Sequence, residues 1–149
     1  MDLVIESCGG LEAGMSVFDT LRIAGSGLTA QRLRMDIAAS NLANAQTTRT
    51  GAGGPYRPER AVFLATRMGS DATALGVRAT AIVASDDSPV RVFDPSHPDA
   101  DAAGYVSYPD VNVATELADM MGAARSYQVS ATVATAAKQS ALDALEIGR

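Results

Sequence analysis

Apolar residues recur at helical spacing in two stretches of the chain, one towards each end, and the segment between them follows another rule. From Val17 to Asn44, the positions Leu21, Ala24, Leu28, Gln31, Met35, Ala38 and Leu42 alternate steps of three and four, and all but Gln31 are apolar. That alternation is the seam of a coiled coil. Ser16 and Asp19 supply a capping start: a hydroxyl for the first unpaired amides and an acid at the positive helix end. Ile23, Ala30 and Ile37 make a second apolar stripe. Gly25 and Gly27 each weaken a helix by ~1 kcal/mol relative to Ala, and close backbone approach is the expected return.

From Val111 to Ile147 the pattern repeats at greater length. Val113, Leu117, Met120, Ala124, Tyr127, Ala131, Ala134, Lys138, Ala141 and Leu145 alternate four and three, and only Lys138 breaks the apolar series. Pro109 and Asp110 stop the preceding strand and offer an N-cap. At ~1.5 Å per residue such a helix is a rod of roughly 50 Å. A rod of that length needs a partner along its seam. Val129, Val133, Ala136 and Leu142 form a second stripe, so each helix is expected to leave an apolar face open to neighbours.

The middle of the chain reads as short β-runs, Ala61 to Thr66, Gly76 to Ala84, Val90 to Phe93 and Gly104 to Tyr108, after a flexible break around Gly51, Gly53, Gly54 and Pro55. The fold class is therefore mainly α. Long N- and C-terminal helices pack as an antiparallel coiled-coil-like pair, with a small β-hairpin-containing insertion between them. The expected division is an extra leader over 1–14, an N-terminal axial helix over 15–46, an extended and β insertion over 47–109, and a C-terminal axial helix over 110–149.

Composition sharpens this picture. About a fifth of the 149 residues are alanine, and there is no tryptophan. Buried apolar area contributes roughly 25 cal/mol per Å², so a chain of small side chains gains little as a monomer. It gains more by bringing helices close to several neighbours. The net charge of −5 argues against nucleic-acid binding, which needs a basic footprint. No apolar run reaches the ~18 residues that span a bilayer. Cys8 is the sole cysteine, so no intramolecular disulfide forms. Residues 1–14 are acidic and lack the basic start and apolar core of a cleaved signal peptide.

Candidate chemistry is sparse. Asp94, Pro95, Ser96, His97, Pro98, Asp99, Ala100 and Asp101 form the one segment resembling a metal site. A calcium loop needs about six regularly spaced oxygens, and zinc needs three or four His or Cys ligands. One histidine and two stiffening prolines fit a rigid surface loop or subunit contact instead. His97 is the only histidine and lies far in sequence from Cys8, so no nucleophile–base pair is evident. No catalytic residue, metal or cofactor is expected. Asn41 and Asn44 share one face at the end of the first helix. Two readings stand beside each other: Asn44 terminates the helix, or the amides fix the register of packed helices as buried polar residues do.

The run Ser40-Asn41-Leu42-Ala43-Asn44-Ala45-Gln46-Thr47 after an amphipathic helix resembles the signature of bacterial flagellar rod and hook proteins. Three further segments resemble one branch of that family, the proximal rod. They are Ile23 to Asp36, Asp94 to Asp101 with Gly104-Tyr105-Val106, and Tyr108 to Asn112 leading to Arg125-Ser126-Tyr127-Gln128 and Glu146 to Arg149. Val129-Ser130 departs from the family's usual Ala-Asn. The resemblance implies a non-enzymatic subunit that polymerises into the drive shaft of the flagellar basal body. It implies as partners its own copies, other rod subunits, the base and the flagellar type III export apparatus, with export from the cytoplasm and no cleaved signal, no nucleic acid and no membrane insertion. It also implies a start at Met15. The alternatives are another axial component or a generic coiled-coil assembly protein. The residues expected to carry packing are Leu21, Leu28, Met35, Asn41, Leu42, Asn44, Val113, Leu117, Met120, Tyr127, Ala131 and Leu145.

Overall fold

The structure is a computed structural model and describes residues 16–69 and 74–147. The expectations for the leader and for a start at Met15 lie outside the described residues. Helix α1 spans Val17–Ala43. Ser16 Oγ accepts from the Phe18 amide at 3.3 Å, and the Ser16 carbonyl accepts from the Asp19 and Thr20 amides at 2.9 and 3.0 Å. These contacts satisfy amides that a helix start leaves unpaired. At the other end Asn44 is the C-cap.

Helix α2 spans Val113–Ile147. Its N-cap is Asn112 and not Asp110: Asn112 Oδ1 accepts from the Ala114 and Thr115 amides at 3.0 and 3.2 Å. A cap must sit immediately before the first turn, and the helix begins at Val113, which leaves Asp110 too early.

Between the helices lie two separate two-stranded antiparallel sheets. Strand β1 (Glu59–Arg67) pairs with β2 (Leu75–Ala84), and β3 (Val90–Phe93) pairs with β4 (Tyr105–Tyr108). All four expected strands form, with β1 starting two residues earlier than its apolar run. In the first hairpin Val62 faces Ala81 but Phe63 faces Ala79, so Thr80 is an extra residue in β2. Such a bulge bends the strand and adds twist.

The helices run antiparallel. Along α1 from Gly27 to Arg34, the neighbouring residue on α2 moves back from Ser130 to Asp119. Helix α1 is the covered element, with Ala24, Ala30, Ile37, Ala38 and Asn41 buried. One side of it meets α2 and another meets the β1–β2 hairpin. This corrects the expectation of an open stripe on α1: Ala30 and Ile37 are buried and Ile23 is half-covered, because the hairpin folds back over them.

Among the described residues, Val106 and Asn41 are the largest side chains that are fully buried. The rest of the apolar core is mostly alanine. A core of methyl groups contributes little per residue. The protein thus folds around α1 and leaves much large apolar surface outside, including Leu64, Phe93, Val129 and Leu145.

Candidate assembly surfaces

The half-covered and buried positions of α2 are Glu116, Met120, Ala123, Ser130, Ala134, Ala137 and Ala141, with Tyr127 at their edge and Ala124 and Ala131 on the shoulder. Their spacing is again alternating four and three. Met120, Tyr127, Ala134 and Ala141 belong to both this series and the expected one. Of the other six expected positions, Leu117, Ala124, Ala131 and Lys138 each fall one residue late. Val113, Leu117, Lys138 and Leu145 lie outside the contact within the chain, with Leu145 70% exposed. The reason is size. Ala123 and Ser130 let the helices approach closely, and Ser130 Oγ would lie 3.3 Å from a Cβ placed on Gly27. Leucine at those points would hold the helices apart, so leucines occupy the outer face. On α1, Leu21, Leu28, Met35 and Leu42 are all half-covered.

Gly27 makes the close approach expected of it, whereas Gly25 has no atom within 4 Å of its would-be Cβ. Gln31 Oε1 is buried and has no hydrogen-bond partner among the described residues. The ion pair across the helices, Arg34 to Asp119 at 3.9 Å, is exposed and worth ~0–1 kcal/mol.

The two asparagines have different tasks. Asn44 Nδ2 donates to the Ser40 carbonyl at 2.9 Å, and its Oδ1 accepts from Thr47 Oγ1 at 3.2 Å. It terminates the helix. Asn41 is 2% exposed. Its Nδ2 donates to the Glu59 carbonyl at 3.0 Å, and its Oδ1 accepts from the Glu59 amide at 2.9 Å and from Tyr56 Oη at 3.0 Å. Asn41 therefore ties α1 to the first residue of β1, and not one helix to another. A second tie lies further back on α1. Ser26 Oγ accepts from the Val77 amide of β2 at 3.1 Å while donating to the Ile23 carbonyl at 2.7 Å. Gly76 passes so close that an added Cβ would lie 2.7 Å from Ser26 Oγ and 2.4 Å from Met68 Cγ.

The two ties are fifteen residues apart on α1, or ~22 Å at 1.5 Å per residue. Glu59 and the pair Val77–Ala65 are six residues apart along the hairpin, or ~20 Å. The spacings match, so the hairpin lies along the helix. Neither tie has a signal in side-chain periodicity, because its partner is backbone.

The segment from Asp94 to Asp101 connects β3 to β4 and is built from its own acids. Asp94 Oδ1 accepts from the Ser96 amide and hydroxyl at 3.1 and 2.7 Å. Asp101 Oδ1 accepts from the Ala103 and Tyr105 amides, both at 2.9 Å, and its other oxygen meets Arg91. Asp99 faces the loop after α1: Thr48 Oγ1 donates to it at 2.8 Å and Arg49 lies 3.6 Å away. His97 Nδ1 accepts from the Asp99 amide at 3.1 Å, and its ring meets Tyr108 edge-on. Pro95 and Pro98 are exposed on this loop. Each carboxylate is turned to a different partner. Among the described residues no three His, Cys, Asp or Glu side chains converge on one point. The Asp94 carboxyl is held below its ordinary value by its hydrogen bonds from Ser96, side chain first and then amide. The Asp101 carboxyl is lowered chiefly by the Tyr105 amide.

Comparison with known proteins follows the same division of the chain. A model of the flagella basal body rod protein family matches residues 21–49, which is most of α1 and its terminating loop. A model of the flagellar basal body rod FlgEFG protein C-terminal region matches residues 102–147, which is β4 and α2. The flagellar basal-body rod protein FlgC of Borreliella burgdorferi is 38% identical over 151 residues, covering 89% of this chain and 98% of that relative. FlgC of Bacillus subtilis is 37% identical over 150 residues, covering 91% and 100%. FlgC of Salmonella typhimurium is 38% identical over 135 residues, again covering 91% and 100%. With relatives this similar matched along nearly their whole length, the chain belongs to the FlgC family of flagellar basal-body rod proteins.

Proposed function

We propose that this chain is a structural subunit of the proximal rod in the bacterial flagellar basal body and acts by assembly, without catalysis. The observation that carries the reading is full-length similarity to rod proteins in a chain whose long helices keep apolar faces uncovered. Val113, Leu117, Met121, Val129, Val133 and Leu142 of α2 are all exposed. Exposed apolar surface on this scale marks a contact site.

In this reading α1 and α2 pair in the manner of a coiled coil, and residues 15–46 and 110–149 form the axial body of the subunit. Val113, Leu117 and Leu145, outside the pair within one chain, meet neighbouring subunits. Residues 47–109, carrying the hairpins and the Asp94–Asp101 loop, project from that body. Partners are other copies, other rod subunits and the base. The flagellar type III apparatus exports the chain without cleavage. No described helix is long and apolar enough to cross a membrane. Torque passes through the rod because each helix is held by several others.

Deletion of the gene tests this directly. Cells should lose flagella and swimming, and the unaltered gene should restore both. Deleted cells that still build a complete rod and swim would overturn the proposal.

A further inference from the structure

The outer face of the β1–β2 hairpin and the free end of α2 are complementary, and they lie apart on the molecule. Pairing register places Arg60, Val62 and Leu64 of β1 on one face with Val83, Ala81 and Arg78 of β2. The other face carries Ala61 and Phe63, which line a groove with α1 and α2. The outer face is left open: Val62, Leu64 and Val83 are each about half exposed. An isolated two-stranded hairpin is marginal in water. This face has two guanidinium groups and no carboxylate of its own; Arg60 also borders the groove that holds Glu59, Glu116 and Asp119, but among the described residues neither Arg60 nor Arg78 forms an ion pair.

The last two turns of α2 have the opposite chemistry. Leu142, Leu145 and Ile147 are exposed, and Asp143 and Glu146 sit between them. Among the described residues neither acid has a cationic partner; Asp143 accepts only from Gln139, at 2.7 Å. At the N-terminal end of α2, by contrast, Asp119 already faces Arg34.

The two surfaces do not meet within one copy. Val83 lies beside Arg60 at the hairpin base, which Asn41 ties to the C-terminal end of α1. Antiparallel packing places the end of α2 at the opposite end of α1, ~36 Å from that base over the twenty-four residues from Val17 to Asn41. Arg78, next to the Val77–Ser26 tie, lies nearer, but Leu142 is still twelve residues, ~18 Å, further along α2 than Ser130, which packs at Gly27.

We propose that in the rod the last two turns of α2 from one copy lie on the outer hairpin face of a second copy. Leu142 and Leu145 cover Val62, Leu64 and Val83, and Asp143 and Glu146 face Arg60 and Arg78. The surfaces are different patches, so the contact is head-to-tail and, unlike a two-fold contact, can propagate from copy to copy. That is the contact an open helical assembly needs. The inference rests on the rod-subunit reading above.

The test is a cysteine pair, Val83→Cys with Leu145→Cys, in a chain carrying Cys8→Ser. Oxidised basal bodies should give a ladder of disulfide-linked copies of this chain, and either single variant should give none. Co-expression of the two single variants should give dimers and nothing longer. Swimming cells whose double variant stays monomeric overturn the contact while the rod reading stands. A disulfide to a different rod protein overturns the second copy as the occupant. Basal bodies lacking the chain altogether overturn the rod reading itself. A charge exchange covers the case in which the cysteine variants fail to assemble. Arg60→Glu with Arg78→Glu should reduce swimming several-fold, and adding Asp143→Arg with Glu146→Arg should restore it. Absence of any restoration overturns the proposal.

Discussion

Asn41 and Glu59 are joined as two strand residues are joined: the carboxamide of one takes both the amide and the carbonyl of the other, at 2.9 and 3.0 Å. Tyr56 Oη adds a third bond to the same oxygen. Asn41→Leu leaves a backbone donor and acceptor without partners at a covered position. Each such group costs ~1–3 kcal/mol. Urea denaturation should show a loss of at least ~2 kcal/mol, against ~1 kcal/mol for Asn44→Ala, which removes two partly covered bonds, to the Ser40 carbonyl and from Thr47 Oγ1, and leaves no fully buried group unpaired. Equal losses would mean that Asn41 is only a helix stop.

Gly25, Gly27 and Gly76 should respond differently to alanine. Gly25 faces open space, so Gly25→Ala should stabilise the chain by ~1 kcal/mol through helix propensity alone. Gly27→Ala meets Ser130 Oγ at 3.3 Å, which sets the gain in propensity against a tight contact. Gly76→Ala drives a methyl group into Met68 and Ser26 and should detach β2 from α1. Thermal denaturation of the three variants gives the order; a stabilising Gly76→Ala would contradict the close approach.

Burying a charge separates the inner face of α2 from the outer. Ala123 is 1% exposed, so Ala123→Asp places an unpaired carboxylate against α1, at ~3–5 kcal/mol. Leu117→Asp puts the same charge on the outer face and should leave the isolated chain folded. Circular dichroism separates the two. Leu117→Asp should still abolish swimming, because that face meets neighbours in the rod. Tyr127→Asp and Ala131→Asp, at the edge of the inner seam, should also abolish it.

Most of the fold was legible in the sequence, and the misses have physical causes. Helical periodicity located α1 and α2, and turn residues bounded all four strands. The register of α2 was not legible beyond Met120, Tyr127, Ala134 and Ala141. A count of apolar positions prefers Leu117 to Glu116 and Ala131 to Ser130 and cannot rank Ala124 against Ala123, whereas the packed register turns Glu116, Ala123 and Ser130 towards α1. Asn41 stood out by its type and place, but its partner did not. A side chain that bonds backbone leaves no mark on the residue it bonds.

The Asp94–Asp101 loop should loosen only below the ordinary carboxylate range. Both Asp94 and Asp101 are held below the ordinary 3.8 by bonds to their charged forms. The unfolded chain therefore takes up protons first. The contribution of these bonds is complete above that value and disappears as pH falls through the lower folded values. The amide resonances of Ser96, Ala103 and Tyr105 should shift with midpoints below 3.8. Asp101→Asn, which keeps the acceptor oxygen, should remove the dependence at Ala103 and Tyr105. A midpoint above 3.8 at these amides would contradict the turn geometry.

The decisive measurement is a cryo-EM map of basal bodies purified from cells that make this chain. The α1–α2 pair should lie within the rod wall, with Leu117, Met121, Val129 and Val133 covered by neighbouring subunits. A rod that contains no copy of the chain, or one in which those four side chains face water, would contradict a subunit completed by its assembly.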